Sequence, residues 1–196
     1  MICDPGSAIR AAAPGDADAP SDWVSRFADL VPQGARVLDV ACGRGRHSLY
    51  FAARGCVVDA VDRDPGCAAA FVDSPAVRFV AADIEGGPWP YTGRTFDLIV
   101  VTNYLFRPLL PILRDSLAEG GLLLYETFAL GQQQFGRPTN PDFLLRPGEL
   151  LDVFRPPLAV IAFEDLVDLM VHRPGPARVQ RIAACRGPLP ADRPRA

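Results

Sequence analysis

An alternation constrains this chain more than any other feature. Apolar, strand-like runs lie at residues 35–41 (ARVLDVA), 56–62 (CVVDAVD), 77–82, 96–102 (FDLIVVT) and 121–127 (GLLLYET). Between them are helical signals: residues 46–54 closed by Gly55, a second helix starting at Asp64-Pro65, and a third over 108–117. Ahead of them Ser21 reads as a cap for a helix carrying Trp23, Phe27, Leu30 and Val31, stopped at Pro32-Gln33-Gly34. Strands alternating with helices pair in parallel through right-handed crossovers, with helices on both faces. The expected class is therefore α/β.

The last third breaks this rhythm. Residues 128–146 form a long polar connection containing glycine and proline, and a short helix with Glu149, Leu150 and Leu151 starts at Pro147. Two strands, 158–165 and 178–185, join around Arg173-Pro174-Gly175-Pro176, a link short enough to force an antiparallel pair. The 196 residues read as one domain over 21–187, with a flexible leader (1–20) and a loose tail (188–196). A chain of this size needs neither disulfide nor metal to fold.

The five cysteines form no CxxC pair, and the histidines are only His47 and His172. Neither a disulfide framework nor a zinc site is expected, which fits a cytoplasmic protein. No apolar run approaches the ~20 residues of a membrane helix. With a net charge of −3 and no basic stripe, neither nucleic acid nor a membrane is the expected partner. All twenty cations are arginine, which excludes lysine chemistry.

The stretch 37–53 (VLDVACGRGRHSLYFAA) runs a buried strand into Gly43 and Gly45 and then directly into a helix. Such a loop lets backbone approach a ligand, with helix N–H groups facing it. A dinucleotide site looks similar, but its third glycine or alanine is Ser48 here. Asp39, four residues before Gly43, would repel a pyrophosphate and suits a cationic ligand. Asp62 ends the second strand, close to the spacing of a carboxylate that grips ribose hydroxyls. Asp83, with Ile84 behind it, follows the third strand. Any one of these carboxylates could be a turn or cap residue; three in register with a glycine loop point to a ligand.

The order Asp39-x-Ala-Cys-Gly43-x-Gly45, Asp62, Asp83, Phe96-Asp97-Leu98-Ile99 and Gly120-Gly121-Leu122 resembles a class I S-adenosylmethionine-dependent methyltransferase. Within that superfamily, GRGRHSLYFAARG followed by CVVDAVDRDP is similar to small bacterial tellurite-resistance-type methyltransferases. The resemblance implies a Rossmann-like, seven-stranded, mostly parallel sheet whose last strand inserts antiparallel beside the fifth. It also implies S-adenosylmethionine as cofactor, held by Asp39, Ala41, Gly43, Gly45, Asp62, Arg63, Asp83, Ile84 and Thr102. Asn103 and Tyr104 border the methyl group and are the catalytic candidates, Tyr104 by putting an aromatic face near the sulfonium.

A long connection after the fifth strand reads as a semi-rigid lid. Its Arg137, Asn140 and Arg146 are candidates for binding the acceptor, Arg137 and Arg146 as forked donors. Asn140-Pro141-Asp142-Phe143 resembles a base-methylation motif but follows the wrong strand, so it reads as a proline-rigidified turn. His47 reads as a packing group beside the cofactor, not a base. The expected reaction is methyl transfer to a small molecule, by a monomer or homodimer. The rivals are an RNA- or protein-directed methyltransferase, a non-catalytic cofactor-binding protein and, last, a nicotinamide oxidoreductase.

Overall fold

The computed structural model describes residues 19–169 and 175–188. Most of the expected leader and tail, and His172, lie outside the described residues. Seven strands form one sheet in the order β3-β2-β1-β4-β5-β7-β6. They are β1 (Arg36–Val40), β2 (Val57–Asp62), β3 (Val77–Ala81), β4 (Phe96–Thr102), β5 (Leu117–Phe128), β6 (Leu158–Asp168) and β7 (Ala177–Arg186). The first five are parallel, and β7 runs antiparallel between β5 and β6.

The central strands read as unbroken apolar runs because both of their faces are covered. Successive side chains point to opposite faces. Leu38, Val40, Ile99, Val101 and Leu123 face one layer, with Leu110 and Leu113 of α3 (Leu110–Asp115) and Leu150 and Phe154 of α4 (Glu149–Phe154). Val37, Val58, Leu98, Val100 and Leu124 face the other, against Trp23, Val24 and Phe27 of α1 (Asp22–Phe27) and Phe51 of α2 (Arg46–Ala53). Ser21 caps α1, its hydroxyl accepting from the Val24 N–H at 3.1 Å.

The helix expected to start at Asp64-Pro65 is present as a 3-10 helix, Pro65–Phe71, and one strand boundary is corrected. The Asp64 side chain accepts from the Gly66 N–H, and the Cys67 N–H reaches the Asp64 carbonyl three residues back, which sets the tighter winding. The fifth strand starts at Leu117 rather than at residue 121. Its register against β4 slips between Phe96 and Leu98, where Gly120 has φ +74°. A side chain at Gly121 would meet the Phe96 and Ala118 carbonyls at 2.8 Å. The glycine pair therefore marks a bulge within the strand, not its edge.

Candidate active site

A cavity of about 340 Å³ opens across the carboxyl ends of all five parallel strands. Ala41 after β1, Asp62 and Arg63 at β2, Asp83 to Glu85 after β3, Asn103 to Leu105 after β4, and Thr127 and Phe128 on β5 line it. Arg137, Pro138 and Phe143 of the segment after β5 close the far side. An open α/β sheet offers its crevice in this place.

Ala41 (φ +53°) and Asn103 (φ +56°) are the only residues other than glycine with positive φ among the described residues. Both line the cavity, at the ends of adjacent strands. Left-handed backbone costs an alanine about 1–2 kcal/mol, and such strain concentrates at functional sites. Neighbouring strands hold both turns: the Cys42 N–H donates to the Val61 carbonyl at 3.0 Å, and the Asn103 N–H to that of Glu126 at 2.9 Å.

The carboxylates have different environments. Asp62 accepts from the Gly43 N–H on Oδ2 (2.9 Å) and from the Asp64 N–H on Oδ1 (3.0 Å), leaving a further lone pair on each oxygen. Asp83 takes two backbone N–H groups, from Gly86 and Glu85, on Oδ1 alone. Those bonds hold its carboxyl below the usual range, and Oδ2 remains for a ligand. Burial, with the Glu85 carboxylate next in effect, pushes the Tyr104 phenol up.

Asp39 is only 2% exposed and does not line the cavity. Its Oδ2 accepts from both the Ser48 N–H (3.0 Å) and the Ser48 hydroxyl (2.6 Å), tying β1 to the first turn of α2. The expectation that this carboxylate faces a cationic ligand is corrected, and the serine at the third glycine position gains a structural role. Burial raises the Asp39 carboxyl to about 6.

Gly43 and Gly45 lie behind the lining, Gly43 bonded to Asp62 and Gly45 capping α2. Thr102 also misses the cavity; its hydroxyl lies 3.5 Å from His47 Nδ1. His47 Nε2 accepts from the Ser21 N–H at 3.2 Å, so Nδ1 carries the proton of the neutral ring. Burial lowers the His47 pKa to about 3.

Of the acceptor candidates, Arg137 lines the cavity and the other two do not. The Asn140 side chain caps the 3-10 turn Pro141–Phe143, accepting from the Asp142 N–H at 3.0 Å. Arg146 is largely exposed and pairs with Glu149. Sequence reasoning missed Thr127 and Phe128, although they end the fifth strand and the strand-end rule applies to them. It also missed Glu85, Leu105, Pro138 and Phe143, whose places depend on how their loops fold.

These residues fit S-adenosylmethionine. Carboxylate oxygens with spare lone pairs match ribose hydroxyls and an adenine amino group, and Ile84 and Leu105 offer apolar walls. A family profile described as a methyltransferase domain matches residues 37–121. No curated protein matches the sequence. Among solved structures, TehB from Haemophilus influenzae matches with TM-score 0.68 at 18% identity, over 85% of this chain and 62% of TehB. The chain thus spans less than two thirds of that protein's length. A TehB-like SAM-dependent methyltransferase from Corynebacterium glutamicum matches with TM-score 0.59 at 25% identity, over 84% of this chain and 88% of the other. Coclaurine N-methyltransferase, solved bound to N-methylheliamine and SAH, matches with TM-score 0.57 at 19% identity, over 74% of this chain and 50% of the other.

Fold and matched segment point to one class: residues 37–121 match a methyltransferase-domain profile, and the fold is similar to that of S-adenosylmethionine-dependent methyltransferases. Within that class it is similar to the TehB-like methyltransferases.

Proposed function

We propose that this chain transfers a methyl group from S-adenosylmethionine to a small-molecule acceptor bound beside Asn103 and Tyr104. The observation that carries the reading is one cavity with carboxylates at the β2 and β3 ends and aromatic and arginine side chains at the far side. When bound, the cofactor supplies an electrophilic methyl on a sulfonium. Asp62 accepts from the ribose hydroxyls, with Arg63 beside it. Asp83 and Ile84 take the adenine edge and face, and the Ala41 backbone lies against the ligand.

Asn103 and Tyr104 then border the acceptor, with Phe128, Arg137 and Phe143 completing its surroundings. Methyl transfer of this kind depends mainly on holding the acceptor atom ~3–3.5 Å from the methyl, in line with the leaving sulfur. Neither Asp83, held below the usual carboxyl range, nor Tyr104, pushed above the usual phenol range, is poised to exchange a proton near neutral pH. This favours an acceptor that is nucleophilic as it arrives. Cys42, Cys56, Cys67 and Cys185 form no disulfide among the described residues, which supports a cytoplasmic setting.

The test is incubation with S-adenosylmethionine labelled in its methyl group and a cell extract, followed by separation into small molecules, RNA and protein. Label should enter the small-molecule fraction. Label confined to RNA or protein would overturn the acceptor class, and no calorimetric binding of S-adenosylhomocysteine would overturn the cofactor reading.

A further inference from the structure

The two segments that form the acceptor end of the cavity are joined through the Arg107 side chain. One follows β4 and carries Asn103, Tyr104 and Leu105; the other follows β5 and carries Arg137, Pro138 and Phe143. Arg107, just beyond the first, reaches into the second with its whole guanidinium. Nε donates to Glu149 Oε1 (2.7 Å) and Nη2 to Glu149 Oε2 (3.0 Å). Nη1 donates to the Asp142 carbonyl (2.7 Å) and Nη2 also to the Leu144 carbonyl (2.8 Å), so Phe143 is bracketed on both sides.

Glu149 is itself fixed. Its side chain is 3% exposed, and Oε2 accepts from the Arg146 N–H at 2.7 Å, at the start of α4. Burial alone would push this carboxyl up, but the bonds from Arg107 and the Arg146 N–H hold it down to about 2. The β4 side has a second pin, from the Tyr125 hydroxyl to the Tyr104 carbonyl at 2.8 Å. Buried Gln132 donates to the Arg137 carbonyl (3.2 Å) and accepts from the Arg178 N–H (2.8 Å).

We infer that Arg107 and Glu149 are positioning residues that lock the Asn103–Leu105 segment to the segment bearing Arg137 and Phe143, so that the acceptor end of the cavity is a preformed wall and not a moving lid. The inference rests on the proposed acceptor site. A planar guanidinium making two bonds to a carboxylate and one to each of two carbonyls fixes distance and angle together. Lysine keeps the charge but cannot reproduce that fork.

The test uses the full chain with 3-fluorotyrosine at its four tyrosines, saturated with S-adenosylhomocysteine, as the natural protein and as Arg107→Met, Arg107→Lys and Glu149→Gln. Amide hydrogen exchange is measured alongside fluorine NMR. In Arg107→Met and Glu149→Gln, exchange at Phe143, Leu144 and Leu145 should quicken at least tenfold, and the Tyr104 resonance should broaden or split. Arg107→Lys should fall between them and the natural protein, and S-adenosylhomocysteine affinity should stay within about twofold throughout.

Unchanged exchange at residues 143–145 in folded variants would overturn the clamp. An unmoved Tyr104 resonance would overturn its link to the acceptor wall, and exchange rising equally in β1 and β2 would reduce it to general stability. Failure of the natural protein to bind S-adenosylhomocysteine would instead remove the proposed function, with the exchange comparison of the unliganded variants still deciding the clamp.

Discussion

His47 is held neutral by burial while Asp39, eight residues earlier, is held ready to protonate, and the two shifts act on stability in opposite directions. Below pH 6.5 the unfolded chain protonates its histidine while the folded chain, with His47 near 3, does not, so stability falls as pH drops through that window. Asp39, raised from 3.8 to about 6, does the reverse: its stabilisation is complete below 3.8 and lost as pH rises through 6. Asp39→Asn keeps an oxygen for Ser48 and removes the opposing slope. Its unfolding free energy, measured in urea between pH 4 and 6, should decline more steeply on acidification than the natural protein's, by up to ~1.4 kcal/mol per pH unit. Parallel curves would show that Asp39 does not titrate there. Asp62→Ala should weaken S-adenosylhomocysteine binding by ~1–3 kcal/mol, read by calorimetry, with a folded variant of unchanged affinity ending the ribose assignment. At this scale the sequence indicated Asp62, Asp83 and Asn103 because each ends a strand or follows one within two residues. It misplaced Asp39 because a carboxylate one residue inside a strand end can turn to the neighbouring helix, and no spacing reveals which way it turns.

The turn into α2 shows how much one element depends on another. A Cβ on Gly45 would sit 2.2 Å from the Phe71 ring, whereas one on Gly43 would meet nothing within 4 Å; both glycines have positive φ. Gly43→Ala should cost only the conformational strain, about 1–2 kcal/mol. Gly45→Ala should cost clearly more, since Phe71 must also move, and urea unfolding of the pair checks the ranking. Equal losses would mean that the ring yields freely. Elements were legible where burial on both faces gave continuous apolar runs, as in β1, β2 and β4. The bulge in β5 was not, because it is set by where the Phe96 and Ala118 carbonyls approach Gly121. Nor was the Arg107–Glu149 contact, which joins residues 42 apart with no local pattern.

Across the described residues, the buried charged side chains other than Asp39 sit in ion pairs. Asp59 on β2, 5% exposed, receives two bonds from Arg94, at 3.0 and 2.6 Å, and the guanidinium stacks over Tyr91 and Phe96. Arg94→Met would strand that carboxylate and should cost about 3–5 kcal/mol, while adding Asp59→Asn should restore most of it. Equal stability of the single and double variants, by urea unfolding, would contradict this account. The parallel half of the sheet followed from the alternation of strands and helices, whereas the place of the last strand came from family resemblance. That last strand has a consequence for synthesis. β7 fills the slot between β5 and β6, and its Arg181 meets Glu126 on one side and Glu164 and Asp168 on the other. A nascent chain cut before Ala177 would lose a middle strand, not an edge. β6 would have nothing to pair with, and Glu126, 1% exposed, would lose this counter-ion. The ribosome must therefore release β7 before the sheet can close, so an interrupted product declares itself by exposed strand edges that proteases and chaperones recognise.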